Sequence, residues 1–194
     1  MGTVHSGERS LSTEQLALRG ARAGAALASL GIGPGDGVAI YLRNDLAFFE
    51  AALGASLAGA YPVAVNWHYV EDEARYVLED SEVKAIVIHA DLLERVRGAI
   101  PNGVRILVVS TPAEVRTAYR LSEGDGRVPE GEIDWNAWIE GFEPRAAESD
   151  ATTLSIIYTS GTTGHPKGVK RPPFDPQEME RLTATLAVIF GFSY

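Results

Sequence analysis

The chain has 194 residues, with 17 basic and 26 acidic side chains, a net charge of −9, 45% hydrophobic residues and no cysteine. This excludes a disordered chain, a disulfide framework, a thiolate zinc site and a cysteine nucleophile, and it supports one ordinary domain or slightly more, burying roughly 70% of its unfolded surface. The only lysines are Lys84, Lys167 and Lys170, and no basic stripe could neutralise a run of phosphates, so nucleic acid is not an expected partner.

Met1 to Leu11 is polar and lacks the apolar core of a secretory signal, so no export is expected. Leu16, Gly20, Ala23, Leu27 and Leu30 then recur in steps of four and three, one face of a helix, with Ser12 and Gln15 as a capping box and Gly31 as its stop. Gly33, Pro34 and Gly35 turn the chain, and Asp36 reads as a turn-capping carboxylate. Val38 to Leu42 predicts a buried strand. Asn44 is the expected cap of the next helix, with Leu46, Phe49, Leu53 and Leu57 on one side.

The uncharged stretch from Ala51 to Val70 contains Gly54, Gly59, Pro62, Asn66 and His68, so it predicts two short buried elements of a cytoplasmic protein and no membrane span. The alternation continues with a strand over Tyr61 to Val65, a helix over Glu71 to Asp80, a strand over Ala85 to His89, a helix over Leu92 to Ala99 and a strand over Arg105 to Val109. Short apolar strands separated by helices imply right-handed crossovers on a parallel sheet flanked by helices, an α/β fold. Thr111 to Asp150 breaks the pattern with Gly, Pro and Glu, and is expected to hold one or two short surface helices pinned by Trp135, Trp138 and Phe142. Thr153 to Tyr158 predicts another strand. Pro176 introduces a last helix with Met179, Leu182, Leu186 and Ile189 on one face.

The chemistry lies in Tyr158-Thr-Ser-Gly-Thr-Thr-Gly-His-Pro-Lys-Gly168. Its three glycines permit the backbone to turn several N–H groups inward, an anion-binding concavity. Thr159, Ser160, Thr162 and Thr163 add hydroxyls, Lys167 adds a positive charge, and Pro166 restrains the loop. These groups suit a polyphosphate. The common nucleotide-triphosphatase loop is rejected, because Lys167 follows Pro166 and precedes Gly168, where that loop needs glycine before the lysine and a hydroxyl after it.

Tyr158 to Gly168 resembles the phosphate signature of the adenylate-forming, AMP-binding superfamily, which includes acyl-CoA synthetases, peptide-synthetase adenylation domains and firefly-type luciferases. Leu11 to Asn44 and Leu57 to Asn66 resemble the family's preceding elements, in the same order. The chain departs from the common pattern at Thr13, Gly37 and Arg43, the last standing where proline is common. The resemblance implies a ligase that activates a carboxylic or fatty acid as an acyl-adenylate, using ATP with Mg2+ and coenzyme A. It assigns nucleotide phosphate binding to Thr159, Ser160, Gly161, Thr162, Thr163, Gly164, Lys167 and Gly168.

The family's Tyr-Gly-x-Thr-Glu and Thr-Gly-Asp segments and its C-terminal lysine do not occur after Gly168. Residues 1–194 are therefore expected to be a partial N-terminal AMP-binding domain with a variable surface excursion at 112–150, lacking the C-terminal lid domain and inactive alone. A chain of that kind is expected to self-associate through apolar surface near Leu182 to Phe192. A non-catalytic nucleotide-binding or protein-binding module and a peptide-synthetase adenylation domain are the alternatives. His5, His68, His89 and His165 have no ligand-like spacing, so structural or solvated roles and no metal site are expected. Trp67 and His68 follow a strand's C-terminal end, where α/β folds tend to place ligands.

Overall fold

A computed structural model describes residues 2–146, 156–159, 167–169, 177 and 180–181 of the chain. The first element is one that the polar terminus does not announce. Strands β1 (Thr3–Ser6) and β2 (Arg9–Ser12) form an antiparallel hairpin that turns through Gly7 at φ 59°. Helix α1 (Thr13–Ser29) begins with the expected capping box, in which Gln15 N–H donates to Ser12 Oγ at 3.2 Å and Ser12 N–H donates to Gln15 Oε1 at 2.9 Å.

Then follow β3 (Gly37–Tyr41), α2 (Leu46–Leu57), β4 (Tyr61–Ala64), α3 (Glu71–Asp80) and β5 (Val83–His89). Next come α4 (Ala90–Val96), a 3₁₀ turn at Arg97–Ala99 and β6 (Arg105–Val109). The Gly- and Pro-rich stretch holds α5 (Ala113–Tyr119), β7 (Ile133–Asp134) and α6 (Trp135–Glu140). The last described strands are β8 (Ile156–Thr159) and β9 (Lys167–Val169); of the expected helix after Pro176, Gln177, Glu180 and Arg181 are described, helical and exposed, and the predicted face of Met179, Leu182, Leu186 and Ile189 lies outside the described residues.

The main sheet has the order β7-β6-β5-β3-β4-β8-β9 and is parallel throughout except for the β8–β9 pair. This is the expected α/β class. Successive strand residues face opposite ways, so Val38 and Ile40 join α1, α2 and α6 in one core layer, while Ala39 and Tyr41 join α3 and α4 in the other. The step from β3 to β4 runs toward β8 through α2, and the step from β4 to β5 runs back through α3. A crossover of constant hand must change faces when it reverses direction, and the two layers follow.

Two expectations about α2 are corrected. Its cap is Asp45, in extended backbone, whose carboxylate accepts from Leu46 N–H at 2.7 Å; Asn44 is exposed. Its buried face is Leu46, Ala47, Glu50, Ala51, Gly54 and Ala55, and Phe49 is 47% exposed. The helix is apolar nearly all round, so large residues do not mark its inward side; small ones do, because α1 lies very close. A Cβ on Gly54 would sit 2.6 Å from Ala23 Cβ.

Trp135 is fully buried against the first layer, its indole N–H reaching Glu50 Oε2 at 3.2 Å, and β7 pairs with β6 at the sheet edge. Asp36 accepts from Gly33 N–H at 3.0 Å, the turn role expected of it. Among the described residues, no helix is long and apolar enough to cross a membrane.

Candidate functional site: the carboxyl edge of the sheet

Because β3, β4, β5, β6 and β8 run the same way, the segments that leave their carboxyl ends share one edge of the sheet. Open α/β sheets bind ligands along this edge, in crevices where neighbouring strands send their helices to opposite faces. Two places on it carry functional side chains.

The first is the base of the β8–β9 hairpin. Its register pairs Thr159 with Lys167 and Tyr158 with Gly168, bringing together the two ends of the predicted phosphate loop. Of the predicted site, Ser160, Gly161, Thr162, Thr163 and Gly164 lie outside the described residues, as do His165 and Pro166. Tyr158 hydroxyl donates to Asp80 Oδ2 at 2.7 Å, at the end of α3. Burial pushes this hydroxyl's pKa well above the tyrosine range and the Asp80 carboxylate pushes it further, so it remains a donor at any physiological pH.

The second place is the crevice between β3 and β5, whose helices α2 and α4 depart to opposite faces. It is filled from within. Arg43 backbone N–H donates to His89 Nδ1 at 3.2 Å, which leaves Nε2 to carry the proton and donate it to Asp45 Oδ2, also at 3.2 Å. Asp45 also accepts from Arg9, which reaches Glu114 with Nε at 2.7 Å and so ties β2 and α5 to this edge. The Arg43 guanidinium grips both oxygens of Asp91, at 2.9 and 2.6 Å, and Thr111 hydroxyl donates to Asp91 at 2.6 Å. His89, Asp45, Arg43 and Thr111 are all buried.

The charges in this network are settled by their neighbours. Burial works against the Asp45 carboxylate, but the hydrogen bonds from His89 and Arg9, the Arg9 charge and the Leu46 N–H outweigh it and hold the pKa down to about 2. Asp91 is lowered in the same way, with burial overcome by Arg43 and Thr111. The Trp67–His68 pair is occupied here as well. Arg43 lies 4.9 Å from the Trp67 ring centre and 4.5 Å from that of Tyr119, and His68 stacks on Trp67 at 3.6 Å.

The sequence marked the oddity of Arg43, a structural or solvated role for His89 and the place of Trp67 and His68 after a strand, but not the network that joins them. The available signal was repetition: a charged, imidazole or hydroxyl side chain stands at or just past the end of β3, β5 and β6, at Arg43, Asp45, His89, Asp91 and Thr111. A neighbouring cavity of about 250 Å³ is lined by Arg9, Arg19, Asp45, Glu50, Ser110 and Asn136. Its carboxylates are already engaged, Glu50 by Arg19 at 2.6 and 3.1 Å and by Trp135.

This parallel sheet flanked by helices is shared with solved adenylate-forming CoA ligases. The structure is similar to that of the anthranilate CoA ligase AuaEII in complex with anthranoyl-AMP, with a TM-score of 0.74 and 26% sequence identity over 95% of this chain and 33% of that one. Residues 3–172 match the AMP-binding enzyme family, and the chain belongs to that family.

Curated relatives agree. A medium/long-chain-fatty-acid–CoA/3-oxocholest-4-en-26-oate–CoA ligase of Mycobacterium marinum is 32% identical over 171 residues, 84% of this chain and 30% of that protein. The 3-oxocholest-4-en-26-oate–CoA ligase of Rhodococcus rhodochrous is 32% identical over 161 residues, 83% of this chain and 28% of that protein. The chain thus spans less than a third of the length of these relatives.

Proposed function

We propose that the chain carries the phosphate-binding part of an AMP-forming acyl-CoA ligase. The observation that carries this reading is the register of the hairpin, which sets Thr159 opposite Lys167 at the two ends of the hydroxyl- and glycine-rich segment. That donor set fits a polyphosphate: Thr159, Ser160, Thr162 and Thr163 offer hydroxyls, Gly161 and Gly164 add no side chain to shield their N–H groups, and Lys167 brings the charge.

In the reaction proposed, a carboxylate oxygen attacks the α-phosphorus of ATP, the bond to the bridging oxygen breaks, and pyrophosphate leaves with that electron pair. The thiol of coenzyme A then takes the acyl group and AMP departs. The loop would hold the β- and γ-phosphates, with the accompanying Mg2+, so that charge growing on pyrophosphate meets donors already in place. The relatives' names suggest an apolar carboxylic acid as the substrate class. The reading carries a cytoplasmic location, where ATP and coenzyme A are both supplied.

Titration calorimetry with Mg2+ present tests the loop. ATP should bind about tenfold or more tightly than AMP, from one or two charge-assisted hydrogen bonds to the extra phosphates. Lys167→Ala should remove most of that preference. Equal affinities for ATP and AMP in the unaltered chain would refute the assignment.

A further inference from the structure

Among the described residues, the β8–β9 hairpin forms one edge of the sheet: β9 pairs with β8, and β8 meets β4 at two register positions, Val63 with Ile156 and Ala64 with Ile157. Such an edge hairpin can pivot about a short ladder, because few backbone bonds resist rotation. Side-chain ties to the body of the fold restrain that rotation.

Tyr158 supplies two ties. Its ring lies across the backbone of β9, so that a Cβ on Gly168 would stand 2.7 Å from Tyr158 Cζ and 3.0 Å from its hydroxyl oxygen. Only glycine allows this approach. Its hydroxyl reaches back to Asp80 on α3, an element rooted in the second core layer, against which Ile156 and the Tyr158 ring also pack. The hydroxyl–carboxylate bond therefore joins the hairpin to the body of the fold at the residue before Thr159, where the predicted phosphate-binding residues begin.

We propose that Tyr158 is the positioning residue of the phosphate loop: its bond to Asp80 and its ring across Gly168 set the angle at which the hairpin holds Thr159 and Lys167, the two ends of that loop. Tyr158 acts through the loop and touches no substrate itself. The role rests on the phosphate-loop reading, and the experiment separates the two.

The 194-residue chain and its Tyr158→Phe, Asp80→Ala, Asp80→Asn and Gly168→Ala variants are compared by ATP and AMP titration and by amide hydrogen exchange. Tyr158→Phe and Asp80→Ala should each weaken ATP binding about tenfold, the scale of one charge-assisted hydrogen bond, and the double variant should be no worse than either single one. Exchange should quicken in peptides covering 156–169 and remain unchanged in β3 and β5. Asp80→Asn, whose amide oxygen still accepts the phenol proton, should restore most of the affinity. Gly168→Ala attacks the same tie from the strand side and should shift exchange in the same peptides.

Wild-type ATP affinity and wild-type hairpin exchange in both Tyr158→Phe and Gly168→Ala would overturn the proposal. Exchange raised across the whole chain would also overturn it, since it would make Tyr158 a general prop of the fold. If the unaltered chain binds ATP no better than AMP, the phosphate-loop reading fails first and the positioning role falls with it.

Discussion

Two places on the same edge of the sheet treat their polar groups in opposite ways. In the crevice between β3 and β5, Arg9, Arg43, Asp45, His89 and Asp91 direct their hydrogen bonds to one another and to Glu114, Thr111 and the Leu46 N–H, and Arg43 Nε is the one buried side-chain donor of the set without a partner among the described residues. At the hairpin, the Tyr158 hydroxyl ties the base to Asp80 at the end of α3, and the hydroxyl-rich segment follows it in the chain. Topology makes a crevice available, but the side chains decide if it is open to a ligand. The β3–β5 crevice is closed because each charge in it already has an opposite charge or a dipole against it.

The largest expected effect comes from breaking that closure. Arg43→Ala leaves Asp91, with a side chain only 3% exposed, without its bidentate partner. Removing one partner of a buried pair costs about 3–5 kcal/mol, because the remaining charge stays desolvated. Urea unfolding of the variant should show that loss, and Arg43→Met combined with Asp91→Leu should lose less than Arg43→Ala alone. A cost below about 1 kcal/mol for Arg43→Ala would mean that water already reaches the network, and the contrast between the two regions would fail.

Acid tests the same network from Asp45. Its folded pKa of about 2 lies below the ordinary 3.8, so the group stabilises the fold fully above the unfolded value and loses that contribution as pH falls from about 4 toward 2. The gap corresponds to about 2 kcal/mol. Stability measured by chemical unfolding across this window should therefore decline, and Asp45→Asn should start lower and decline less. A parallel decline in the variant would place the acid sensitivity elsewhere.

What was legible in the sequence divides along a similar line. The bounds of α3 and β6 and the Ser12 capping box follow from residues within a few positions of one another, and the structure agrees with all three. The cap of α2 does not, since Asn44 and Asp45 are equally good caps locally. Asp45 is selected by Arg9 and His89, which lie 36 and 44 residues away. The β1–β2 hairpin escaped because four-residue strands leave too short a period to recognise. The phosphate signature was legible as a run of residue types. Its anchor was not: Asp80 is 78 residues from Tyr158, and the crowding at Gly168 exists only once β8 and β9 are paired.

The smallest expected effect calibrates the largest. Arg75 donates to Glu71 Oε1 at 2.7 Å, a contact as short as those between Arg43 and Asp91, but its side chains are 40% and 51% exposed and sit four residues apart on α3. Water competes for both groups, so Arg75→Ala should cost no more than about 0.5 kcal/mol in urea unfolding, even with Glu71 in the favourable N-terminal position. Raising NaCl from about 0.1 M to 1 M shortens the screening length from about 10 to 3 Å and should erase that cost, while the cost of Arg43→Ala persists because salt does not enter the crevice. Equal costs or equal salt responses at the two arginines would show that burial is not what separates them, and the β3–β5 network would then be a surface cluster in energetic terms, open to exchange with ligand or solvent.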